Sequence, residues 1–299
     1  MALMSCWEKY AIRLPTPSLR STTRLSVGRQ CNAESAHREE KMDNLKMIRV
    51  QIADHVALVT MDNPPVNAQN AAFQDEMIHV FDRLSDIDEV RVAVLTGRGK
   101  CFCAGVDIRA RAGQQRGPGD AWQGMRYARE CFHAILECRK PVIAAINGPA
   151  LGAGLAVAAS CDILVAGESA SVGLPEIDVG LMGGGRHAMR LFGHSRARRM
   201  MLTGYRVSGA ELYRLGVVEA CVPDDKLLDT AMDLARQIAA KSPIASITAK
   251  HALNTIEEMT LRDGYRFEQN MTVSLQATED SKEAMRAFIE KRKPVFKGR

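Results

Sequence analysis

Two stretches of the chain carry residue types that could do chemistry together. The first is a glycine-rich turn, Gly148-Pro149-Ala150-Leu151-Gly152-Ala153-Gly154, which follows the apolar run Val142–Ile146 and opens into small-residue helical sequence at 155–160. A strand-turn-helix built from small residues leaves backbone N–H groups unpaired at the helix start, aimed at any oxygen placed there. The second is Leu174-Pro175-Glu176-Ile177, one carboxylate in an apolar setting. Desolvation there raises a carboxyl pKa toward the range useful for proton transfer. An anion cradle and a lone carboxylate point to chemistry through an enolate. A third stretch, Lys100-Cys101-Phe102-Cys103-Ala104-Gly105-Val106-Asp107-Ile108, follows a strand directly and offers a second set of N–H groups that could face a ligand.

These groups need a frame, and the apolar pattern supplies one. Residues 48–52 and 56–61 read as short strands joined by a turn at Ala53-Asp54-His55. Between 71 and 84 the side chains of Phe73, Met77, Val80, Phe81 and Leu84 recur at helical spacing. Residues 90–95, 140–146 and 162–166 read as strands and 122–138 as a helix. Such alternation predicts parallel pairing through crossover helices, stacked as a superhelix around one core. Residues 189–202, 208–215, 225–241, 243–259, 261–277 and 280–291 then read as helices. Ser208 and Asp280 are the expected N-caps, the latter with Glu283 in a capping box, and Gly216 the expected C-cap. The fold class is α/β followed by a helical C-terminal region. The polar, glycine-rich segment 113–120 reads as a mobile loop able to cover a site.

With 46 % hydrophobic and 25 % charged residues, the 299-residue chain has globular composition and can bury a large core. No apolar run approaches the roughly 20 residues of a membrane span, so no membrane partner is expected. Residues 1–46 hold eight Lys/Arg against five Asp/Glu, leaving 32 against 30 in 47–299, a net of +2. That balance argues against a nucleic-acid surface. Eight cysteines without a CxxC pair give neither a zinc spacing nor a disulfide framework, and their apolar contexts predict buried free thiols in a reducing compartment. Neither a metal nor a redox cofactor has support in the sequence.

Between Lys9 and Gln30 stand five basic residues, no acidic ones, several Ser/Thr and two prolines. That composition fits an organelle transit peptide. The alternative is an upstream extension, with translation starting at Met42 or Met47. In either case residues 1–46 are expected to stand outside the fold, disordered or loosely attached. A genuine transit peptide would place the protein in mitochondria, whereas a bacterial chain would be cytoplasmic.

Five motifs follow one another in a familiar order: Asp62-Asn63-Pro64-Pro65-Val66-Asn67-Ala68, Phe102-Cys103-Ala104-Gly105-Val106-Asp107-Ile108, the stretch 146–162, Pro175-Glu176-Ile177 through Gly185, and DSKEAMRAFIEKRKPVFKG at 280–298. Together, from about residue 47 to the C-terminus, they resemble the crotonase, or enoyl-CoA hydratase/isomerase, superfamily. The resemblance implies a crotonase-like spiral of ββα turns over 47–240 and a helical oligomerisation region over 241–299, assembled as a homotrimer or a dimer of trimers. It implies an acyl-CoA substrate, with CoA as part of the substrate and no cofactor. The thioester oxygen would be held by two backbone N–H groups, which motif match places at Val106 and Ala153. Removing a proton beside a thioester builds negative charge on that oxygen, and a preorganised donor there contributes about 3–4 kcal/mol. Since only backbone acts, alanine at 153 in place of the family's frequent glycine need not abolish the arrangement. Ala104, Asp107, Ile108 and Arg109 would lie along the coenzyme, and Phe288 and Lys291 near its nucleotide end, often reaching across from a neighbouring subunit. Plainer readings stand beside these: Val106 as a core valine, and Lys291 as a solvated lysine in the run Glu290-Lys291-Arg292-Lys293.

The departures from the family pattern bear on the reaction. Hydratases of the family use two glutamates. Glu176 matches the second, but the first falls at Ala156, which cannot transfer protons. Hydration asks one group to activate water while another manages the proton at C2. A single carboxylate fits a proton shuttle better, the pattern of the family's Δ3,Δ2-enoyl-CoA isomerases. A second departure is Leu181-Met182-Gly183-Gly184-Gly185-Arg186-His187, where many relatives carry a proline after the glycine; Arg186 and His187 could bring a polar group to the site, but read as a solvent-exposed helix start. Asp178 reads as a structural or solvent-facing carboxylate. The expectation is an enoyl-CoA hydratase/isomerase-type enzyme with Glu176 as principal acid/base. The alternatives are a thioester hydrolase, decarboxylase or dehalogenase relying on His187, or a non-catalytic acyl-CoA-binding scaffold.

Overall fold

The computed structural model describes residues 45–108 and 117–299. The extension reading for 1–44, Arg109, and residues 113–116 of the expected loop lie outside the described residues. Asn44–Arg299 form one compact unit.

Strands β1 (Ile48–Ala53) and β2 (Val56–Met61) form an antiparallel hairpin. Its turn residues Asp54 and His55 both have positive φ, 49° and 67°, the geometry whose twist matches the strands it joins. Helix α1 (Ala71–Asp86) is capped by Asn70, whose side chain accepts from the Phe73 N–H. It buries the predicted stripe of Phe73, Met77, Val80, Phe81 and Leu84. Next come β3 (Val92–Gly97), α2 (Asp120–Glu137) and β4 (Val142–Ile146), and α2 packs on α1. The remaining elements are β5 (Pro149–Leu151), α3 (Ala153–Ala159), β6 (Ile163–Gly167), β7 (Ser171–Gly173), a 3-10 turn (Pro175–Val179), α4 (Gly185–Leu191), α5 (His194–Thr203), β8 (Arg206–Ser208), α6 (Gly209–Arg214), β9 (Ala220–Val222), a second 3-10 turn (Asp224–Lys226), α7 (Leu227–Ala239), α8 (Pro243–Ile256), α9 (Leu261–Gln276) and α10 (Glu279–Ile289).

One sheet runs in the order β1-β2-β3-β4-β6-β9, parallel after the first pair. A smaller sheet runs β5-β7-β8. Every residue of β4 is buried, as a parallel strand covered on both faces requires. One face packs Val56, Val92, Val94, Ile143, Ala145 and Val165 against Leu227, Ala231, Ala235 and Ala239 of α7. Helix α8 is fastened by a buried lysine. Lys250 Nζ stands 2.9 Å from Asp162 Oδ2 and donates to the carbonyls of Ile135 (3.2 Å), in the last turn of α2, and Lys140 (3.1 Å), in the connection to β4.

The structure corrects several sequence expectations. The helix expected over 189–202 is two helices, broken at Phe192-Gly193 with Phe192 extended (φ −128°). Asp280 is not the N-cap of α10; Thr278 is, accepting from the Ser281 N–H. Asp280 is instead 2 % exposed and accepts from Ser242 Oγ and from the Lys297 and Gly298 N–H groups. Glu283 pairs with Arg292 rather than completing a capping box. Within the expected 148–154 turn lies the short strand β5, and α3 begins two residues earlier than expected.

Ser208 does cap α6, accepting from the Glu211 N–H, and Gly216 follows that helix at φ 70°. Five of the six cysteines among the described residues are buried, and all six are free thiols. Burial pushes Cys103 up to about 11 and Cys131 up to about 12. No helix among the described residues is long and apolar enough to cross a membrane.

Candidate active site

The site is assembled from chain segments that pass close to one another at the ends of the sheet strands. Asn67, 1 % exposed and in the left-handed region at φ 53°, gathers the loop after β3. Its Nδ2 donates to the carbonyls of Arg98 (3.1 Å), Cys101 (2.8 Å) and Phe102 (3.3 Å). Asparagine suits the position because it tolerates positive φ and carries the donor. Cys103 then pairs with β5: its N–H donates to Pro149 O at 3.1 Å, and its carbonyl accepts from Leu151 N at 2.9 Å.

On the opposite side runs Gln69. Its N–H donates to Gly105 O at 2.8 Å, and its carbonyl accepts from Asp107 N at 2.9 Å. This is a parallel bridge between Gln69 and Val106, in which the Val106 N–H points away from Gln69. The Val106 N–H has no hydrogen-bond acceptor among the described residues. Ala153 opens α3, and its N–H likewise has none, as the first turn of a helix leaves its donors free.

The two segments touch through glycines. A Cβ at Gly105 would stand 2.7 Å from Leu151 O and 3.3 Å from Ala153 N, and one at Gly154 would overlap the Cys103 carbonyl. Only residues without Cβ allow this approach. Ala104, half-buried, donates its N–H to Val66 O at 3.0 Å, and Ile108 is 55 % exposed at the end of the segment.

Glu176 sits in the 3-10 turn, with its carboxylate laid over the Gly152-Ala153 corner. A Cβ at Gly152 would overlap Oε1 and stand 3.2 Å from Cδ. Gly152 adopts φ 56°, ψ −118°, a conformation essentially reserved for glycine. Oε1 also faces Gly183, 3.7 Å from a Cβ built there. The other oxygen, Oε2, is buried with no hydrogen-bond partner among the described residues. Burial raises the carboxyl pKa above its ordinary value, opposed by its own backbone N–H. A carboxylate so placed can take up and return a proton.

Ala156 lies one turn into α3, 1 % exposed. Asp178 points the other way, toward Gly204 at the end of α5. His187 is not the solvent-exposed residue the sequence suggested. Its ring meets Phe132 edge-on at 5.1 Å, and burial together with Arg190, His133 and Arg186 holds its pKa down to about 4. Arg186 is exposed and pairs with Glu258. Phe288, 86 % exposed, and Lys291, at φ 54°, stand at the end of α10, outside the contacts that join Glu176, Gly152, Gly105 and Gln69. No group of three His, Cys, Asp or Glu residues that could hold a metal occurs among the described residues.

One buried polar residue at this corner went unnoticed in the sequence. Gln69 is 1 % exposed, and its Nε2 donates to Ala153 O (3.3 Å) and Cys103 Sγ (3.4 Å). A glutamine in a loop before a helix cap has no periodic signature that would have marked it.

The family profile described as enoyl-CoA hydratase/isomerase matches residues 51–299. The chain is 37 % identical to the mitochondrial enoyl-CoA hydratase of Pongo abelii, over 81 % of this chain and 83 % of that one. It is also 37 % identical to the 2,3-dehydroadipyl-CoA hydratase of Escherichia coli, over 82 % and 96 % respectively. Among solved structures, an enoyl-CoA hydratase from Bacillus anthracis superposes with a TM-score of 0.81 at 33 % identity, covering 85 % of this chain and all of that one. With the ordered motifs, the crotonase fold and these relatives in agreement, the chain belongs to the enoyl-CoA hydratase/isomerase family of enzymes.

Proposed function

We propose that the enzyme forms an enolate from an acyl-CoA thioester and uses Glu176 as its single acid/base, moving a double bond from the 3,4 to the 2,3 position. The observation that carries this reading is the buried, unpartnered Oε2 of Glu176 beside the Gly152-Ala153 corner. The thioester oxygen would accept from the N–H groups of Val106 and Ala153. Glu176 takes the proton from C2, and the electron pair spreads through the dienolate onto that oxygen. The protonated Glu176 then delivers the proton to C4, leaving C2=C3 and an ionised carboxylate. No atom is gained or lost, so one carboxylate suffices and no cofactor is used. Each preorganised N–H contributes about 3–4 kcal/mol where the charge develops.

A second reading is hydration of a 2-enoyl-CoA, favoured by the names that the relatives carry. It needs a second group to activate water, and Ala156 supplies none. Thioester hydrolysis, decarboxylation or dehalogenation through His187 would rely on a weak base, since the ring packs on Phe132 and its pKa is held down to about 4. In either main reading Ala104, Asp107, Ile108 and Arg109 would line the coenzyme. Phe288 and Lys291 would meet its nucleotide end in a neighbouring copy of a homotrimer or dimer of trimers. Light scattering that finds a single 32.8 kDa chain would remove the neighbouring-copy assignment.

The test is turnover on paired 3-enoyl- and 2-enoyl-CoA substrates, with products separated and Glu176→Gln run alongside. Conversion of 3-enoyl to 2-enoyl without 3-hydroxyacyl product, lost in Glu176→Gln, is the expected result. Efficient hydration overturns the single-carboxylate assignment, and no turnover on either substrate overturns the reaction class.

A further inference from the structure

We infer that Gln69 is the positioning residue that holds the two proposed oxyanion donors in register. The inference rests on the reading of Val106 and Ala153 as those donors. Gln69 comes from a third segment and is hydrogen-bonded to both, alongside the direct pairing of Cys103 with Pro149 and Leu151. Its backbone N–H and carbonyl clasp Gly105 and Asp107, fixing the peptide planes on either side of Val106. Its side-chain Nε2 reaches across to the carbonyl of Ala153 at 3.3 Å and touches Cys103 Sγ at 3.4 Å. The backbone clasp sets the direction of one donor, and the amide arm sets the separation of the other segment from it.

Stability does not account for this amide. The residue is 1 % exposed, and its Oε1 is buried with no hydrogen-bond partner among the described residues. A buried acceptor without a partner is unfavourable, and an apolar side chain of similar length would avoid it. Buried polar groups that break the packing rules concentrate where geometry serves function. Flipping the amide does not remove the conflict, since Oε1 would then face the Ala153 carbonyl, acceptor against acceptor. The amide arm is therefore directed at Ala153, and its purpose is distance. Oxyanion donors act only when aimed at the developing charge, and an error near 1 Å costs on the order of 100-fold in rate.

The experiment compares wild type with Gln69→Met, which keeps length and approximate volume but removes the donor. The first readout is the infrared carbonyl stretch of bound 13C-carbonyl butyryl-CoA, a saturated thioester that neither isomerises nor hydrates. Wild type is expected to shift the band to lower frequency than free butyryl-CoA, and Gln69→Met to lose most of that shift while still binding. The second readout is kcat and KM on the active enoyl-CoA. In the variant kcat is expected to fall about 10- to 100-fold with KM little changed, because the lost contact serves the transition state. Thermal midpoint is expected to hold or rise, since the orphaned oxygen is gone.

A full carbonyl shift and wild-type kcat in Gln69→Met overturn the inference and leave Gln69 as a core filler. Should the methionine variant not fold, Gln69→Asn, whose shorter amide cannot reach the Ala153 carbonyl, gives the same reading. Absence of any shift in wild type overturns instead the assignment of the donors on which this one stands, so the two failures are distinguishable.

Discussion

Replacing Gly152 by alanine tests the placement of Glu176 and the backbone that supports it in one substitution. Two costs follow from the structure. At φ 56°, ψ −118° an alanine is strained by about 1–3 kcal/mol. The new Cβ would also overlap Glu176 Oε1 and stand 3.2 Å from Cδ, so the carboxylate must withdraw by on the order of 1 Å to reach an ordinary carbon contact. For a domain of this size each kcal/mol lowers the thermal midpoint by about 2–4 °C, which gives a fall of roughly 2–12 °C. A displacement near 1 Å of a group that must meet C2 and C4 in turn lowers kcat about 100-fold. Calorimetry and turnover on a 3-enoyl-CoA measure both effects. Gly216→Ala is the control: its φ is 70°, yet nothing lies within 4 Å of the added Cβ. It should lose stability without losing kcat. Wild-type kcat in a folded Gly152→Ala enzyme would refute the placement of the catalytic carboxylate.

Two further outcomes are expected. Because burial raises the Glu176 carboxyl pKa, kcat/KM should rise with pH through a value above the ordinary 4.5, and that limb should vanish with the residual activity of Glu176→Gln. The folded state binds this proton more tightly than the unfolded one. The group's contribution to stability is therefore fully present below the unfolded pKa and is lost as pH rises through the folded value. Urea titrations should show Glu176→Gln gaining on wild type as pH rises past the ordinary carboxyl value of 4.5, and a constant difference contradicts the shift. Lys250→Met should cost about 1–3 kcal/mol by urea denaturation, since it leaves the partly exposed Asp162 carboxylate without its cation and the buried carbonyls of Ile135 and Lys140 without their donor. A loss below about 1 kcal/mol, typical of an exposed pair, would show that the pair is solvated.

The sequence alone was enough for elements whose signal is local. Residues 142–146 are continuously apolar and form the wholly buried strand β4, and the stripe from Phe73 to Leu84 forms the buried face of α1. Glu176 in an apolar Pro-Glu context was legible as a carboxylate of raised pKa, because desolvation depends on what surrounds the group and its neighbours in sequence supplied part of that. Three-residue strands such as β5, β7, β8 and β9 were not legible, since three residues cannot display a period. Asp280 looked like a cap because its sequence neighbours suit one. The amides of Lys297 and Gly298, which claim it instead, arrive from 17 and 18 residues away. The contact of Gly152 with Glu176, the approach of Gly105 to Ala153, and the reach of Gln69 from Val106 to Ala153 each join segments distant in the chain. Only the winding of the chain decides them, because a missing Cβ or an amide acts through what it meets in space.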